Sequence, residues 1–334
     1  MDDMHDPAST PGSHGGSPDE SNASESSDSL RRAVDEHDTL RVVTALSTAA
    51  VREACARSGL AGAEAIVVGR ALTAGYLLAT VAKNDDERVR IQLDGGGAVG
   101  VIVVDAHGDG RGRAALQAPL GDSHPLQTPK RVGDRVSIAT LVGTEGGLTV
   151  TRDVGLARPY QGSVALQSGE LDEDLEFYLT TSEQLPSALR CEVVLDDDGG
   201  IRFAGGVLVQ TFPGSSPEAI QTVRQRLAAT GLESALSAHG DDPEQSAAIH
   251  DALAAVALPG VGTRTMLEHP LRFHCPCGYA RARRVLSTLG ADDLDALADE
   301  QPQTEVRCNF CGRTTTLGSD ELRAVAQEIR ASQG

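Results

Sequence analysis

Two close pairs of cysteines near the C-terminal end constrain this chain more than any other feature of its sequence. The pairs read Cys275-Pro276-Cys277 and Cys308-Asn309-Phe310-Cys311. Each pair places two sulfur atoms on one turn, and the intervening residues 278–307 can return the chain so that both pairs meet. Four thiolates arranged in this way can bind one Zn²⁺ tetrahedrally. The spacing therefore predicts a zinc site formed by all four paired cysteines.

The segment that surrounds these cysteines, residues 273–318, is short and polar, and we expect it to form no apolar core of its own. Structural zinc contributes about 10–16 kcal/mol to the folding of such segments, so the metal is predicted to order this one. His269 and His274 remain alternatives that could replace one thiolate in a Cys₃His site. Arginines near the cysteines would offset the charge of a Zn(Cys)₄ centre: Arg272, Arg281, Arg283, Arg284, Arg307 and Arg313.

The charge balance of the 334-residue chain is acidic, with 29 Lys and Arg against 48 Asp and Glu and a formal net charge of −19. Such a chain lacks the excess of cations that binding to nucleic acid or to an anionic membrane requires. No apolar run approaches the ~18 residues of a membrane span, and the first residues do not resemble a secretory signal. We therefore expect a cytoplasmic protein with reduced thiols, in which Cys55 and Cys191 are small buried hydrophobic residues.

The sequence divides into four parts, and its mixture of strands and helices predicts an α+β fold. Residues 1–29 hold seven acidic residues, eight serines and no basic residue, and we assign 1–37 to a disordered acidic tail. Residues 38–215 are predicted to form a mixed α+β core domain. Ala-rich stretches predict a helical linker over 216–262, and 263–334 would form a small C-terminal zinc-binding domain.

Hydrophobic periodicity predicts the individual elements. Strict alternation predicts a strand at 88–94, an apolar stretch predicts a buried helix over 62–82, and Asp198-Gly199-Gly200 predicts the turn of a hairpin. Further strands are expected at 40–46, 99–104, 135–141 and 163–167, and further helices at 170–181, 216–230, 242–256 and 319–331.

Gly95, Gly97 and Gly100 match the G-x-G-x-x-G pattern of dinucleotide-binding loops. That function requires a helix directly after the glycines, because the helix N-terminus receives the pyrophosphate. A β-branched stretch follows instead, and we interpret the glycines as the turn of a hairpin. No spaced nucleophile and base are recognisable elsewhere, so we expect no enzyme active site.

Three functions are open for the cysteine segment. A static zinc ribbon in a regulatory protein is one, although residues 272–313 have no net positive charge, which disfavours nucleic acid as its partner. A thiol oxidoreductase that uses Cys308 and Cys311 is the second, but it would need a βαβ context, which the sequence does not indicate. The third is a redox-sensitive site, since four poorly protected thiolates are readily oxidised and disulfide formation removes every ligand at once. We favour the third interpretation.

Both cysteine motifs and several core-domain segments carry a resemblance to a known family. The segments are Gly69-Arg70-Ala71-Leu72-Thr73-Ala74, Tyr160-Gln161-Gly162-Ser163-Val164, Ser182-Glu183-Gln184-Leu185-Pro186 and Ala204-Gly205-Gly206-Val207-Leu208-Val209-Gln210. From about residue 40 to about residue 322 the sequence resembles the redox-regulated heat-shock holdases, the 33 kDa chaperonins. Its C-x-C and C-x-x-C motifs have the spacing and separation of that family, while Gly278, Ala280 and Thr315 depart from its usual residues.

This resemblance implies an ATP-independent chaperone, not an enzyme, that binds unfolded or aggregation-prone client proteins under oxidative stress. In the reduced state the four paired cysteines would hold one Zn²⁺ and the protein would be inactive. Oxidation would form the disulfides Cys275–Cys277 and Cys308–Cys311 and release the zinc. The zinc domain, which would be the redox switch, and the linker would then loosen, and the protein would bind clients and form homodimers.

Overall fold

A computed structural model describes residues 28–80, 87–117, 131–132, 135–237 and 245–333. Its strands are β1 (Ser29–Asp35), β2 (Leu40–Leu46), β3 (Arg88–Asp94), β4 (Val101–His107), β5 (Arg111–Gln117), β6 (Arg131–Val132), β7 (Arg135–Val136), β8 (Gly147–Asp153), β9 (Tyr160–Ala165), β10 (Ser187–Leu195), β11 (Ile201–Thr211), β12 (Thr263–Pro270), β13 (Arg272–Phe273), β14 (Gln303–Arg307) and β15 (Thr314–Gly318). Its helices are α1 (Thr48–Ser58), α2 (Gly62–Ala79), α3 (Ala139–Val142), α4 (Leu171–Thr181), α5 (Pro217–Ala229), α6 (Glu233–Ser237), α7 (Ser246–Ala257), α8 (Tyr279–Leu286), α9 (Ala291–Glu300) and α10 (Ser319–Gln333). The predicted α+β class is confirmed.

The first sheet has the strand order β10-β11-β2-β1-β12, and neighbouring strands run antiparallel. Successive side chains of β2 point to opposite faces, so that Val43 and Ala45 lie in one apolar cluster while Val42 and Leu46 lie in another. The predicted hairpin is confirmed, since β10 and β11 pair around a turn in which Gly199 adopts φ 81°. Both faces of this sheet are apolar, and each therefore needs a covering layer.

The second sheet has the order β13-β5-β4-β3-β8-β9. β3 shows the predicted alternation of buried and more exposed side chains. The glycine-rich loop joins β3 to β4, which pair antiparallel, so the hairpin interpretation is confirmed. A Cβ on Gly95 or Gly97 would lie 2.4 or 2.2 Å from a backbone oxygen of the α3 segment. The glycines are therefore required for close packing of two backbones.

Helix α2 lies between the two sheets and contacts strands of both. Every residue from Ala65 to Ala79 is buried, as the sequence predicts for this helix. Among the described residues, α2 is the one helix long and apolar enough to cross a membrane, and 83% of that stretch is buried inside the protein. Its packing against two sheets explains the apolar composition.

The outer face of the first sheet is covered by α5, α6 and α7, which we call the linker helices. Their apolar side chains, among them Ile220, Leu236 and Leu253, form one cluster with Val42 and Val209 of the sheet. Helices occur at both places where the sequence predicts them, although residues 242–244 of the second prediction lie outside the described part. The linker helices thus provide the second covering layer of the sheet.

The C-terminal segment has a small apolar core, and the expectation that it has none is wrong. The cluster combines side chains of α8, α9, β15 and α10: Ala282, Leu286, Leu294, Ala298, Leu317, Leu322, Val325 and Ala326. Leu322, Val325 and Ala326 have the spacing of one helix face. They lie beyond residues 273–318, the stretch to which the prediction applied. The amphipathic α10 therefore supplies apolar surface that the polar composition of that stretch did not indicate.

Part of the predicted disordered tail is ordered, so the prediction is wrong for residues 29–35. These residues form β1, which pairs with β2 on one side and β12 on the other, and four of its seven side chains are buried. Pairing along both edges stabilises this strand. Its central arginines interrupt the apolar pattern, so the sequence does not indicate a strand here. Residues 1–27 lie outside the described part. Because β12 begins at Thr263, the first residues predicted for the zinc domain belong to this sheet.

The strand predicted at 135–141 is also wrong, since β7 ends at Val136 and α3 follows. The Ser137 hydroxyl and the Ile138 N–H donate to the same Glu170 carboxylate oxygen, at 2.5 and 2.9 Å. This distant carboxylate accepts hydrogen bonds at the start of a helical turn, as a capping side chain does. A local pattern cannot reveal that contact. The sequence also did not indicate β5 or β8.

Candidate metal centre

Two chain segments bring the paired cysteines to one place. Cys275 follows β13, which pairs in parallel with β5 at the edge of the second sheet. Cys308 and its partner lie in the turn of the β14–β15 hairpin. The Cys308 N–H donates to the Arg313 oxygen and the Gly312 N–H donates to the Cys308 oxygen, both at 2.9 Å, and these bonds close the turn. Each motif is therefore held by a strand.

The four sulfur atoms lie within 4.8 Å of one another. Cys275 Sγ is 3.6 Å from Cys308 Sγ, and Cys277 Sγ is 3.1 Å from Cys311 Sγ. Thiolates around a tetrahedral zinc, with Zn–S bonds of about 2.3 Å, would lie about 3.8 Å apart. The number, type and separation of these donors therefore fit a metal ion held by four sulfurs.

The Cys275–Cys308 and Cys277–Cys311 contacts each join a sulfur of one motif to a sulfur of the other, which fits two motifs that bind one shared ion. All six cysteines of the chain are free thiols in this structure. The disulfides implied by the family resemblance, Cys275–Cys277 and Cys308–Cys311, would instead form within each motif. That pairing stays a prediction.

The other candidate ligands are not part of this group. Within the described residues, the side chains close enough to share a metal ion are the four paired cysteines, without His269 or His274. Cys55 and Cys191 are 3% and 1% exposed and belong to the apolar cluster between the sheets. Their prediction as small buried hydrophobic residues is confirmed.

Arg113 of β5 contacts the centre, although nothing in the sequence pattern indicates it. Its Nη1 donates to Cys275 Sγ at 3.4 Å, across 162 positions of sequence. The carbon at the centre of its guanidinium lies 3.9 Å from the centroid of the Phe310 ring. The pairing of β13 with β5 brings Arg113 beside Cys275, so no local spacing could have revealed this contact.

The arginines that the sequence places near the cysteines have different roles in the structure. Three of them line a cavity beside the cysteines: Arg281, Arg307 and Arg313. Arg313 also donates to the Cys277 backbone oxygen at 3.5 Å. Arg272 and Arg283 instead form ion pairs with carboxylates. The positive charge close to the centre therefore comes from only part of the predicted set, together with Arg113.

The surroundings of the thiols shift their pKa values in different directions. Burial raises the pKa of Cys275 and the pKa of Cys277. Burial also disfavours the Cys308 thiolate, but the backbone N–H groups of Phe310 and Cys311 donate to it and lower the Cys308 pKa below its ordinary value. The thiolate is therefore favoured at Cys308 and disfavoured at Cys275 and Cys277.

The cysteine centre directly contacts α1, and the chain just before it contacts α2. The Ser58 hydroxyl, at the end of α1, donates to the Phe310 oxygen at 3.1 Å. The Tyr76 hydroxyl of α2 donates to the Arg272 oxygen at 2.8 Å. Cys311 is 5% exposed and belongs to the apolar cluster between the sheets. The order of the centre is thus tied to α1 and α2.

Comparison with known proteins places the chain in one family. A family model described as "Hsp33 protein" matches residues 28–317. The 33 kDa chaperonin of Levilactobacillus brevis is 34% identical over 285 residues, which cover 85% of this chain and 92% of the relative. The 33 kDa chaperonin of a Synechococcus species is 34% identical over 306 residues, covering 91% and 92%.

The fold is also similar to that of a solved protein. The crystal structure of the 33 kDa chaperonin from Thermotoga maritima matches with a TM-score of 0.71 at 22% identity, covering 92% of this chain and 100% of the other. On the family match and the identity to its curated relatives, this chain belongs to the Hsp33 family of 33 kDa chaperonins.

Proposed function

We propose that this protein is a cytoplasmic, ATP-independent holdase, not an enzyme, that binds unfolding proteins when its C-terminal cysteines are oxidised. In the reduced state, Cys275, Cys277, Cys308 and Cys311 would hold one Zn²⁺ and the protein would be inactive. The observation that carries the proposal is the cluster of four oxidisable thiols at the contact between the C-terminal segment and the core domain.

Zinc, when bound, would supply four sulfur bonds that join the two cysteine motifs. Each disulfide forms when two thiolates give two electrons to an oxidant such as hydrogen peroxide. One peroxide, with two protons from solution, is thereby reduced to two molecules of water. The resulting disulfides, Cys275–Cys277 and Cys308–Cys311, have no thiolate left to bind a metal, so the connection between the motifs is lost.

The linker helices provide the surface that this switch would control. They bury one apolar face of the first sheet, with Leu253, Leu236 and Ile220 among the covering side chains. The chain leads from α7 through β12 and β13 to Cys275, and α7 is the linker helix nearest the centre in sequence. When the C-terminal segment loosens, we expect these helices to lose support, and the uncovered apolar surface would bind unfolded clients. Homodimers would form in the oxidised state.

The proposal is tested by measuring zinc and chaperone activity on the same preparation before and after oxidation. We expect the reduced protein to hold about one zinc per chain. Peroxide with mild heat should release it and form two disulfides within the motifs. Light scattering of a heat-aggregating client should then decrease only with the oxidised protein, and gel filtration should show dimers.

Two results would favour the other functions that the cysteines permit. Zinc retained after peroxide treatment would contradict the switch and support a static zinc ribbon. Turnover of insulin disulfides without suppression of aggregation would instead support a thiol oxidoreductase that uses Cys308 and Cys311. The second motif lies in a β-hairpin turn, a context that differs from the βαβ unit of thioredoxin-like enzymes.

A further inference from the structure

Arg113 contacts three groups that belong to different parts of the molecule. Its Nε and Nη2 donate to Asp105 Oδ2 at 3.1 and 2.7 Å. Its Nη1 donates to Cys275 Sγ at 3.4 Å. The guanidinium also stacks on Phe310, with 3.9 Å between its central carbon and the ring centroid. One side chain therefore joins the second sheet to both cysteine motifs.

The position of Arg113 is fixed by a buried ion pair. The Arg113 side chain is 5% exposed and that of Asp105 is 3% exposed. Asp105 also accepts two hydrogen bonds from Arg90, from Nε at 2.7 Å and from Nη2 at 2.9 Å. Asp105 lies on β4, and its two arginines lie on the flanking strands β3 and β5, so contacts within the sheet itself orient the Arg113 fork.

We propose that Arg113 is a positioning residue that holds Cys275 and the Phe310 turn in place and so sets how tightly the four cysteines retain a metal ion. The inference rests on the proposed function in one respect, namely that these cysteines bind zinc. Arg113 acts from a strand of the core domain, so it also makes metal retention depend on the docking of the C-terminal segment.

The physical reason lies in charge and geometry. Four thiolates around a divalent ion leave a net negative centre, and a guanidinium that donates to one sulfur offsets part of that charge. The stacked ring of Phe310 lies between the two ligands of the second motif in sequence, so the same guanidinium fixes the turn that presents them. A lysine keeps the charge but cannot bond Asp105 and Cys275 with one planar fork.

The test compares three variants of the reduced, full-length protein. R113Q removes the charge and the fork, and R113K keeps the charge alone. R111Q is the matched control, because Arg111 lies on the same strand and its side chain bonds Asp109 instead of a cysteine. Zn²⁺ affinity is measured by competition with a chromophoric chelator, and Co²⁺ is used as a spectroscopic probe of the sulfur ligands.

We expect R113Q to weaken Zn²⁺ binding by about 10- to 100-fold, the range typical of residues that support metal ligands. The sulfur-to-cobalt charge-transfer band should shift, and peroxide should release zinc faster. R113K should restore part of the affinity, and R111Q should behave as the unmodified protein. A merely structural role would leave the cobalt spectrum unchanged in the folded fraction.

An R113Q protein with unmodified zinc affinity and an unmodified cobalt spectrum would overturn the inference and leave the proposed function intact. If R113Q does not fold, the inference is tested with F310L and R113K instead. Each of these variants keeps a buried cation beside Asp105 and removes one contact between residue 113 and the cysteine motifs. Both should weaken Zn²⁺ binding, and unmodified binding by both would overturn the inference. Failure of the unmodified protein to bind zinc would contradict the proposed function as well.

Discussion

Arg70 of α2 is a charged side chain held inside the core by two carboxylates. Its Nη2 lies 3.1 Å from Glu170 Oε2 and 2.9 Å from Asp172 Oδ2. Burial alone would lower the pKa of Arg70, but Asp172 and Glu170 outweigh burial and raise it. The ion pairs therefore keep the guanidinium charged between the two sheets.

We expect R70M to destabilise the protein by about 3–5 kcal/mol, because it leaves two buried carboxylates without their cation. Urea unfolding of the reduced protein, followed by circular dichroism, measures this loss. R88Q is the control, since Arg88 and Asp153 form an ion pair that is 37% and 39% exposed and should contribute at most about 1 kcal/mol. Equal effects of the two substitutions would contradict this account of Arg70.

His250 of α7 is a buried histidine that faces the first sheet. Its ring nitrogens lie 2.7 Å from Thr44 Oγ1 and 2.8 Å from Ser29 Oγ. Burial, and to a smaller extent the charge of Arg31, lowers the pKa of His250 to about 3. The histidine is therefore neutral in the folded protein at every pH near neutrality.

Acidification should weaken the docking of α7 through this residue. Between about pH 6.5, the ordinary pKa of histidine, and about pH 3, the unfolded chain binds a proton that the folded protein does not. The free energy of unfolding therefore falls as the pH falls, by up to about 1.4 kcal/mol per pH unit. Comparison with H250Q isolates this effect from the other titrating groups. The stability advantage of histidine should shrink from about pH 7 to about pH 4, and a constant difference would contradict the assignment.

At the scale of elements, the linker helices are the layer whose stability would decide when the sheet is uncovered. Leu253 of α7 is fully buried in their cluster. We expect L253A to reduce stability by about 2–5 kcal/mol and to lower the peroxide concentration at which client aggregation is suppressed. A255S, on the exposed side of the same helix, is the control. If L253A destabilises the protein but leaves this peroxide concentration unchanged, the linker helices do not control the response to oxidation.

The elements that the sequence predicts well are those in which local pattern and tertiary packing agree. β3 alternates because one of its faces is buried, and β2 is apolar almost throughout because both of its faces are buried. α2 is apolar because two sheets enclose it. The sequence does not predict β1 or α3, because each depends on a distant partner. β1 pairs with β12, and the start of α3 donates to Glu170. The same contrast holds at the centre, where spacing identifies all four cysteines but cannot indicate Arg113.

At the scale of the whole molecule, the cysteine centre joins a C-terminal segment with its own small apolar core to the much larger apolar cluster between the two sheets. That small core means that loss of the metal should loosen the docking of the segment before it unfolds α8, α9 and α10. We therefore expect the switch to act mainly on contacts between parts, such as the Ser58 bond to Phe310.

Loss of one ligand should have the same effect without any oxidant. We expect C308S to bind zinc poorly and to suppress client aggregation partially in the reduced state, since three thiolates hold the two motifs together less well. Zinc content and light scattering measure both consequences. C191A, in which a buried thiol of β10 is replaced, is the control and should retain zinc and remain inactive. If C308S loses zinc but does not suppress client aggregation, loss of the metal does not by itself activate the chaperone.

The most direct test of the central claim is hydrogen–deuterium exchange of the reduced, zinc-loaded protein and of the oxidised protein. Oxidation should remove protection from the β14–β15 hairpin and from α7, because the connection between the cysteine motifs is lost, while α2 remains protected between the sheets. If the hairpin and α7 keep their protection after both disulfides have formed, the cysteine centre does not control the cover of the sheet, and the account is wrong.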